Sequence, residues 1–206
     1  MNTTLYIMRH ANKLTKWGID YRTDSNLLRN KAIVLTVAGE RSAELVSSHP
    51  ELLSIDAIWV SDYVRTMQTA KYVAYYNNDL KINIHPDLGE RIKGTIATSK
   101  EEFIFNQWRD PHYKVNDGES RFEVTARMKK VINNILNLHR GQRILVVSHT
   151  TAINFWWYDW CQVNLEKQSL TYKNKQLATN FKIKTASLYK VTFDKDLNLM
   201  DIEYLV

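Results

Sequence analysis

Short apolar runs recur along this chain, and stretches with helical spacing lie between them. Runs rich in Ile, Leu, Val and Tyr, such as residues 4–8 and 143–148, are typical of strands buried on both faces of a parallel sheet. The full set of predicted strands is 4–8, 56–60, 81–85, 143–148, 185–193 and 198–205. Asp194, Lys195 and Asp196 supply turn chemistry between the last two strands, so the pattern predicts a C-terminal β-hairpin.

The clearest helical pattern covers residues 121–139, where apolar side chains recur three or four positions apart. Its predicted buried stripe is formed by Val124, Met128, Val131, Ile135 and Leu138. Ser120 and Glu123 have the spacing of a capping box at its start, and Gly141 follows its end. These signals bound one long amphipathic helix.

Further helices are predicted between the strands. They cover residues 36–48, 62–76, 100–109 and 150–160. Ser61 and Asp62 are predicted to cap the second of these helices. Strands that alternate with helices are typical of an α/β fold. The predicted architecture is a three-layer sandwich with a mostly parallel central sheet, flanked by helices, and with the C-terminal hairpin at the sheet edge.

Residues 11–35 and 86–118 show little periodicity. Long loops in a compact domain are usually functional or disordered, and we expect these two stretches to cover a substrate site. The chain has 206 residues, no internal repeat and no low-complexity tract. We therefore predict a single domain over residues 1–206.

The composition narrows the classes of function. The formal net charge is +6, but no run of five or more positive residues occurs, so nucleic acid is an unfavoured partner. No apolar run approaches the ~18 residues of a membrane span, and the chain enters a strand at once, so we expect a cytoplasmic protein without membrane contact. Cys161 is the single cysteine, which argues against a cysteine-rich metal site. A homodimer is compatible with the sequence, but no motif supports one.

Reactive side chains follow four successive predicted strands. In chain order they are Arg9 and His10, then Arg65, then Glu90, then His149. The carboxyl ends of parallel strands meet at one edge of a sheet, where ligands bind. Guanidinium groups bind phosphate, imidazole can be a nucleophile when neutral or a donor when protonated, and a carboxylic acid can protonate a leaving oxygen. This set predicts phosphoryl transfer without a metal.

The same residues lie in short motifs that span most of residues 5–150. The motifs are Arg9-His10-Ala11, Leu35-Thr36-Val37-Ala38-Gly39, Ser61-Asp62-Tyr63-Val64-Arg65 with Thr69-Ala70, Glu90-Arg91-Ile92-Lys93-Gly94, Gly118-Glu119-Ser120 and Val147-Ser148-His149. Their order and spacing resemble those of the histidine phosphatase superfamily, the phosphoglycerate-mutase-like phosphatases. The resemblance implies the same α/β fold and the activity of a phosphomonoester hydrolase on a small phosphorylated substrate, with no metal or other cofactor.

The resemblance also implies a role for each residue. His10 is the expected nucleophile, which forms a phosphohistidine, while Arg9, Arg65 and His149 surround the phosphate and stabilise its transition state. Glu90 is the expected general acid for the leaving alcohol and then the base toward water. To act as an acid Glu90 must be protonated, which burial favours and its positive neighbours oppose.

Several positions depart from the family pattern. Ala11 and Thr150 stand where the family commonly has glycine, and Ala11 is strained if its backbone needs a positive φ. These changes motivate a second hypothesis, a catalytically weak pocket that binds a phosphorylated ligand or partner. Lys13 and Lys16 stand where the mutases have serine and asparagine, so a phosphatase is favoured over a phosphomutase.

Lys13, Lys16 and Arg91 are the candidates for binding distal anionic groups of a substrate. Solvated loop charge is the alternative interpretation of these three residues. The +6 charge alone motivates a third hypothesis, a nucleic-acid-binding module whose affinity falls steeply with salt.

Overall fold

The computed structural model describes residues 1–15 and 26–206. Within these residues the strands are β1 (Thr3–Arg9), β2 (Ala57–Val60), β3 (Ile82–Ile84), β4 (Arg143–Ser148), β5 (Gln162–Asn164), β6 (Ser169–Tyr172), β7 (Lys175–Ala178), β8 (Leu188–Phe193) and β9 (Leu199–Tyr204). The α-helices of the same residues are α1 (Asn26–Ala32), α2 (Val37–Ser47), α3 (Val64–Tyr76), α4 (Lys100–Arg109), α5 (Arg121–Leu138) and α6 (Thr150–Trp157). Helices separate the first four strands, as the sequence pattern predicts.

The central sheet has six strands in the order β3-β2-β4-β1-β8-β9. Strands β1 to β4 run parallel, whereas β8 pairs antiparallel with β1, and β9 pairs antiparallel with β8. The predicted mostly parallel sheet with the C-terminal hairpin at its edge is therefore confirmed. Because β1 lies beside β4, the residues that follow these two strands become neighbours despite their distance in the sequence.

Helices cover both faces of the sheet, which confirms the predicted three layers. Successive residues of a strand point to opposite faces. Leu5 and Ile7 of β1 pack in one core with α5 and α6, whereas Tyr6 and Met8 pack in the other core with α2 and α3. All four side chains are fully buried, and this two-sided burial explains the continuous apolar run of β1.

Helix α5 begins with the predicted capping box, in which Ser120 and Glu123 each accept the backbone N–H of the other. Four residues of the predicted stripe are buried: Val124, Met128, Val131 and Ile135. The prediction is wrong for Leu138, which is 68% exposed because it is the last residue of the helix. Ile132 and Leu136 complete the buried face instead.

The start of α3 also differs from the prediction. Ser61 and Asp62 do not cap this helix, which begins at Val64, and Tyr63 before it makes no side-chain cap. The hydroxyl of Ser61 turns inward and hydrogen-bonds to the ring of His149. A residue type that favours helix caps is thus used in a buried polar network.

Two features have no counterpart in the sequence prediction. Helix α1 lies within residues 11–35, and β5, β6 and β7 form a separate antiparallel sheet. Each of these strands has only three or four residues, which is too short for an alternating pattern to stand out. Strand β8 begins later than predicted because Ala186 has a positive φ of 60°, which strands do not tolerate. No helix in the described part of the chain is long and apolar enough to cross a bilayer.

Candidate active site

The pairing of β1 with β4 brings two histidines together at the carboxyl edge of the sheet. Arg9 lies opposite Ser148 in the register of these strands, and the backbone N–H of His10 donates to the carbonyl oxygen of Ser148 at 3.0 Å. The ring centroids of His10 and His149 are 5.1 Å apart. Two strand-end imidazoles therefore share one site.

A cavity of about 550 Å³ opens at this edge of the sheet. Most of the predicted site residues line it: Arg9, His10, Lys13, Arg65, Glu90 and Arg91. His149 is fully buried and contacts His10 and Arg65, which are wall residues of the cavity. Lys16 lies outside the described residues.

The two stretches predicted to cover the site do contribute to the walls of this cavity. Residues 11–35 supply Lys13, Leu27 and Asn30, and residues 86–118 supply 90–95 and Asp117. Their weak periodicity is explained by this position, since residues that line an open cavity have no single buried face to repeat. We call this cavity the strand-end cavity below.

His10 is 4% exposed, and its Nδ1 lies 2.7 Å from the carbonyl oxygen of Ala11. A carbonyl oxygen can only accept, so Nδ1 carries a proton and Nε2 has a free lone pair when the ring is neutral. Burial lowers the pKa of His10 well below its usual value, and the positive charges of Arg65 and Arg9 lower it further. A neutral ring with a free Nε2 is what a nucleophile requires.

His149 makes hydrogen bonds through both ring nitrogens. Its Nε2 lies 2.8 Å from the hydroxyl oxygen of Ser61, and its Nδ1 lies 3.3 Å from an NH2 group of Arg65. The ring of Tyr63 packs edge-on against it, with centroids 4.5 Å apart. Burial lowers the pKa of His149 well below its usual value, and His10 and Arg65 lower it further by charge repulsion. The ring is therefore neutral when the cavity is empty.

Two arginines, Arg9 and Arg65, contribute positive charge beside His10. Arg65 is 1% exposed, donates to the carbonyl oxygen of Asn30 at 2.6 Å, and stacks on Tyr63 with its guanidinium carbon 4.4 Å from the ring centroid. Burial lowers the pKa of Arg65 to about 10, so it stays charged at neutral pH. Arg9 donates to the carbonyl oxygen of Ile183. Both arginines line the strand-end cavity, and guanidinium groups are well suited to bind an anion there.

Glu90 lies at the N-terminus of α6. Its carboxylate accepts the backbone N–H groups of Ala152 at 3.2 Å, Thr151 at 3.4 Å and Arg91 at 2.9 Å. These three backbone donors hold the carboxylate in place. Glu90 also lines a second cavity of about 440 Å³ beside the strand-end cavity. Its side chain therefore lies in the wall that the two cavities share.

Lys13 and Arg91, the described candidates for distal anion binding, differ in how tightly their side chains are held by other residues. Lys13 lies at the cavity wall, with its Nζ 3.4 Å from the side-chain oxygen of Asn30. Arg91 is 7% exposed because its guanidinium is held by Gln107 and stacks over Phe103 at 4.9 Å. Arg91 therefore ties α4 to the loop after Glu90 as well as lining the cavity. Burial lowers the pKa of Lys13, and the positive charge of Arg65 lowers it further.

Two glycines allow close approach of the backbone beside the site. A Cβ on Gly39 of α2 would lie 2.2 Å from the carbonyl oxygen of Asn12, so α2 packs directly on the loop after His10. Gly94 has a φ of +68°, and a Cβ there would lie 2.4 Å from the carbonyl oxygen of Asn116. These contacts give a physical reason for glycine in both motifs.

The replacements of motif glycines do not strain the backbone. Neither Ala11 nor Thr150 is among the described residues with positive φ. The backbone N–H of Ala11 donates to the hydroxyl of Thr69 at 3.1 Å, which fixes the loop after His10. The conditional expectation of strain at Ala11 is therefore wrong. Thr150 lines both cavities, and its hydroxyl oxygen is buried without a hydrogen-bond partner in the described part of the chain.

The sequence interpretation missed several residues of the site. Tyr63, Lys93 and Asn30 also line the strand-end cavity. Tyr63 could have been found from its position in the loop between β2 and Arg65. Asn30 contributes through its backbone carbonyl, for which a sequence gives no signal. The described residues contain no group of three or more His, Cys, Asp or Glu side chains placed to hold a metal ion.

Comparisons with known proteins agree with this geometry. The family model for the histidine phosphatase superfamily (branch 1) matches residues 5–201. A protein of Yersinia enterocolitica named probable phosphoglycerate mutase GpmB is 34% identical over 128 residues, a match that covers 58% of this chain and 59% of that protein. The match thus spans less than two thirds of that relative.

Solved structures share the fold at low sequence identity. Bacillus stearothermophilus YhfR superimposes with a TM-score of 0.69 and 20% identity, covering 96% of this chain and 94% of that chain. A mycobacterial glucosyl-3-phosphoglycerate phosphatase superimposes with a TM-score of 0.67 and 15% identity, covering 98% of this chain and 97% of that chain. At such identities the likeness supports the fold alone.

Proposed function

Because the chain belongs to the histidine phosphatase superfamily (branch 1), we propose that it is a phosphomonoester hydrolase that works through a phosphohistidine on His10, without a metal. The observation that carries this proposal is the state of His10. Its Nδ1 donates to the carbonyl oxygen of Ala11, so the lone pair of the neutral ring lies on Nε2, and the guanidinium groups of Arg9 and Arg65 line the same cavity. A neutral nucleophile beside fixed positive charge suits attack on a phosphate.

In the first step Nε2 of His10 attacks the phosphorus atom. The N–P bond forms as the P–O bond to the alcohol breaks, and the alcohol oxygen takes a proton from Glu90. Arg9, Arg65 and His149 hold the equatorial oxygens, where negative charge accumulates.

In the second step water attacks the phosphohistidine. Glu90, now a carboxylate, accepts a proton from this water, the N–P bond breaks, and phosphate leaves. His10 regains the lone pair on Nε2, and throughout the cycle its Nδ1 keeps its proton and donates it to the carbonyl oxygen of Ala11. The cycle uses one carboxyl group first as an acid and then as a base.

A phosphomutase is the second candidate function. The name of the Yersinia enterocolitica relative, probable phosphoglycerate mutase, favours it. The presence of Lys13 where the mutases have a serine favours the hydrolase. A mutase must keep the phosphoryl group away from water and return it to a bound product, whereas a hydrolase passes it to water.

The hypothesis of a catalytically weak binding pocket is less well supported, because Ala11 does not have a positive φ. A buried neutral imidazole beside two arginines of the cavity wall favours turnover over simple binding. The physiological substrate is a small phosphorylated molecule, in keeping with a cavity of about 550 Å³.

The test is turnover of a panel of phosphomonoesters in the presence of a chelator. The panel contains sugar phosphates, phosphoglycerates, nucleotides and phosphopeptides, and both phosphate release and isomerised product are measured. Phosphate release that is lost in His10→Ala and kept in His112→Ala, an exposed histidine outside the cavity, supports the hydrolase. Isomerised phosphoglycerate without phosphate release supports the mutase, and full activity in His10→Ala overturns the role of His10.

A further inference from the structure

The second histidine of the site is held by a chain of two buried hydroxyl groups, to which neither the proposed mechanism nor the family resemblance above assigns a role. Ser61, Thr66 and His149 are each fully buried. The hydroxyl oxygen of Ser61 lies 2.8 Å from Nε2 of His149 and 2.9 Å from the hydroxyl oxygen of Thr66. The hydroxyl of Thr66 in turn donates to the carbonyl oxygen of Tyr63 at 2.7 Å or that of Ser61 at 3.0 Å.

The direction of these hydrogen bonds follows from the groups at the two ends. A guanidinium can only donate, so the contact between Arg65 and Nδ1 of His149 at 3.3 Å requires a lone pair on Nδ1. A neutral ring then carries its proton on Nε2 and donates it to Ser61. At the other end Thr66 donates to a carbonyl oxygen, which only accepts. Ser61 therefore accepts from His149 and donates to Thr66.

The opposite direction of these hydrogen bonds would bring two N–H donors face to face. If Ser61 donated to Nε2, the ring proton would lie on Nδ1 and would face the N–H groups of Arg65. The backbone N–H of Tyr63 also points at the hydroxyl oxygen of Ser61 at 3.4 Å, which agrees with Ser61 as an acceptor on this side.

We propose that Ser61 and Thr66 are positioning residues that hold the ring proton of His149 on Nε2, so that Nδ1 is the atom that meets the phosphate and gains a proton when phosphate binds. The inference rests on the proposed function for its ligand, a phosphate group in the strand-end cavity. Nδ1 is the atom next to Arg65, which lines this cavity, whereas Nε2 is occupied by Ser61.

The proton on Nδ1 comes from the phosphate monoanion, since the second ionisation of a phosphate monoester lies near pH 6. The O–H bond of the phosphate breaks, the imidazole lone pair forms the new N–H bond, and a phosphate dianion faces an imidazolium. The positive groups around the ring are His10 when protonated, Arg65, Lys13 and Arg127. They oppose this charge in the empty site, and the dianion offsets them.

The experiment is nitrogen NMR of the full-length protein with ¹⁵N-labelled histidine, before and after addition of inorganic phosphate. The His149 signals are assigned from their loss in His149→Gln. We expect a neutral ring with its proton on Nε2 in the free protein, and protons on both ring nitrogens with phosphate bound. A proton on Nδ1 in the free protein, or a ring that stays neutral with phosphate bound, overturns the proposal.

Variants of Ser61 and Thr66 distinguish the effect of their hydroxyl groups on His149 from a general effect of altered packing. Ser61→Ala is expected to lose the single Nε2-protonated form and to bind phosphate roughly tenfold more weakly, because a buried donor loses its acceptor. Thr66→Val is expected to shift the spectrum in the same direction, and Thr66→Ser to restore it. Ser47→Ala is the matched control, since the hydroxyl of this fully buried serine donates to the carbonyl oxygen of Ala43 in α2 and the change should leave the His149 signals as in the wild type.

Identical His149 signals and phosphate affinity in Ser61→Ala and the wild type would overturn the proposal. The free-protein spectrum is read without turnover. Failure of the proposed function, seen as full activity in His10→Ala, is therefore distinguishable from failure of this inference.

Discussion

The backbone N–H of His10 donates to the carbonyl oxygen of Ser148 across the pairing of β1 and β4, at 3.0 Å. This bond joins His10, which follows β1, to Ser148, which is the last residue of the neighbouring strand β4 and directly precedes His149. It places two neutral imidazole rings 5.1 Å apart in a buried site. The conformation of the site therefore depends on the packing of the parallel sheet, and the ionisation of both rings is coupled to folding.

The stability of the protein is expected to fall as the pH is lowered through the usual histidine range. The pKa values of His10 and His149 are both lowered in the folded protein, so the unfolded chain binds more protons just below pH 6.5. Stability is fully present above that pH and is lost as the pH falls toward the folded pKa values, by at most about 1.4 kcal/mol per pH unit for each histidine. The free energy of unfolding in urea, measured between pH 8 and pH 5, checks this.

The matched comparison for this pH series uses two variants. His10→Gln removes one of the two histidines and is expected to reduce the slope below pH 6.5. His112→Gln changes an exposed histidine and should leave the slope as in the wild type. A stability that stays constant between pH 7 and pH 5, or that rises as the pH falls, would contradict the neutral state of the two rings.

Gly39→Ala is expected to destabilise the protein although it lies within α2. In an unobstructed helix this change stabilises by roughly 0.5–1 kcal/mol, but here the new Cβ would lie 2.2 Å from the carbonyl oxygen of Asn12. We expect a loss of about 1–3 kcal/mol from overpacking and weaker phosphate binding, because the displaced loop follows His10. Thermal unfolding and phosphate titration measure the two effects.

Glu44→Ala in the same helix is the control for this substitution. Its side chain is exposed, so its effect on stability should stay within about 0.5 kcal/mol. If Gly39→Ala proved as stable as the wild type or more stable, the close contact between α2 and the loop after His10 would be wrong.

Glu90→Gln is expected to reduce the rate in a way that depends on the leaving group. Glutamine keeps the size of the side chain but cannot give a proton to the alcohol oxygen. We expect kcat/KM, which reports the phosphorylation step, to fall by about 10²–10⁴-fold for alkyl phosphates. For aryl phosphates with acidic phenols kcat/KM should fall far less, because such leaving groups need no proton. Steady-state kinetics with both substrate types measure the difference.

Glu166→Gln, an exposed carboxylate distant from the motifs, serves as the reference variant. An equal loss of kcat/KM for alkyl and aryl phosphates in Glu90→Gln would show that Glu90 does not protonate the leaving oxygen. In that case another group must protonate the leaving oxygen.

Much of the fold and site could be predicted because the informative residues lie in strong local patterns. The apolar runs of β1 and β4 fix two central strands, and a parallel sheet brings the residues after its strands to one edge. Arg9, His10 and Arg65 could thus be placed in one site before any coordinates. Their catalytic roles stay predictions, and so do the single domain and the cytoplasmic location.

Other features depend on contacts between distant segments, which leave no local signal. The strands β5 to β7 are too short to show alternation. Ser61 has the composition of a helix cap, but its hydroxyl is taken by His149. The sequence around Arg91 predicts a loop residue with a solvated or ligand-binding side chain, but Gln107 of α4 accepts a hydrogen bond from its guanidinium. For Ser61 and Arg91, a side chain from a distant segment determines the conformation, and the local sequence does not show which one is adopted.

The most direct test of the central claim is to trap the phosphorylated protein during turnover. The wild type is mixed with a phosphomonoester labelled in its phosphate, denatured in alkali, which preserves phosphohistidine, and digested into peptides. We predict label on the peptide that contains His10, none in His10→Ala, and the wild-type amount in His112→Ala. Turnover without label on His10, or label that persists in His10→Ala, would contradict the account.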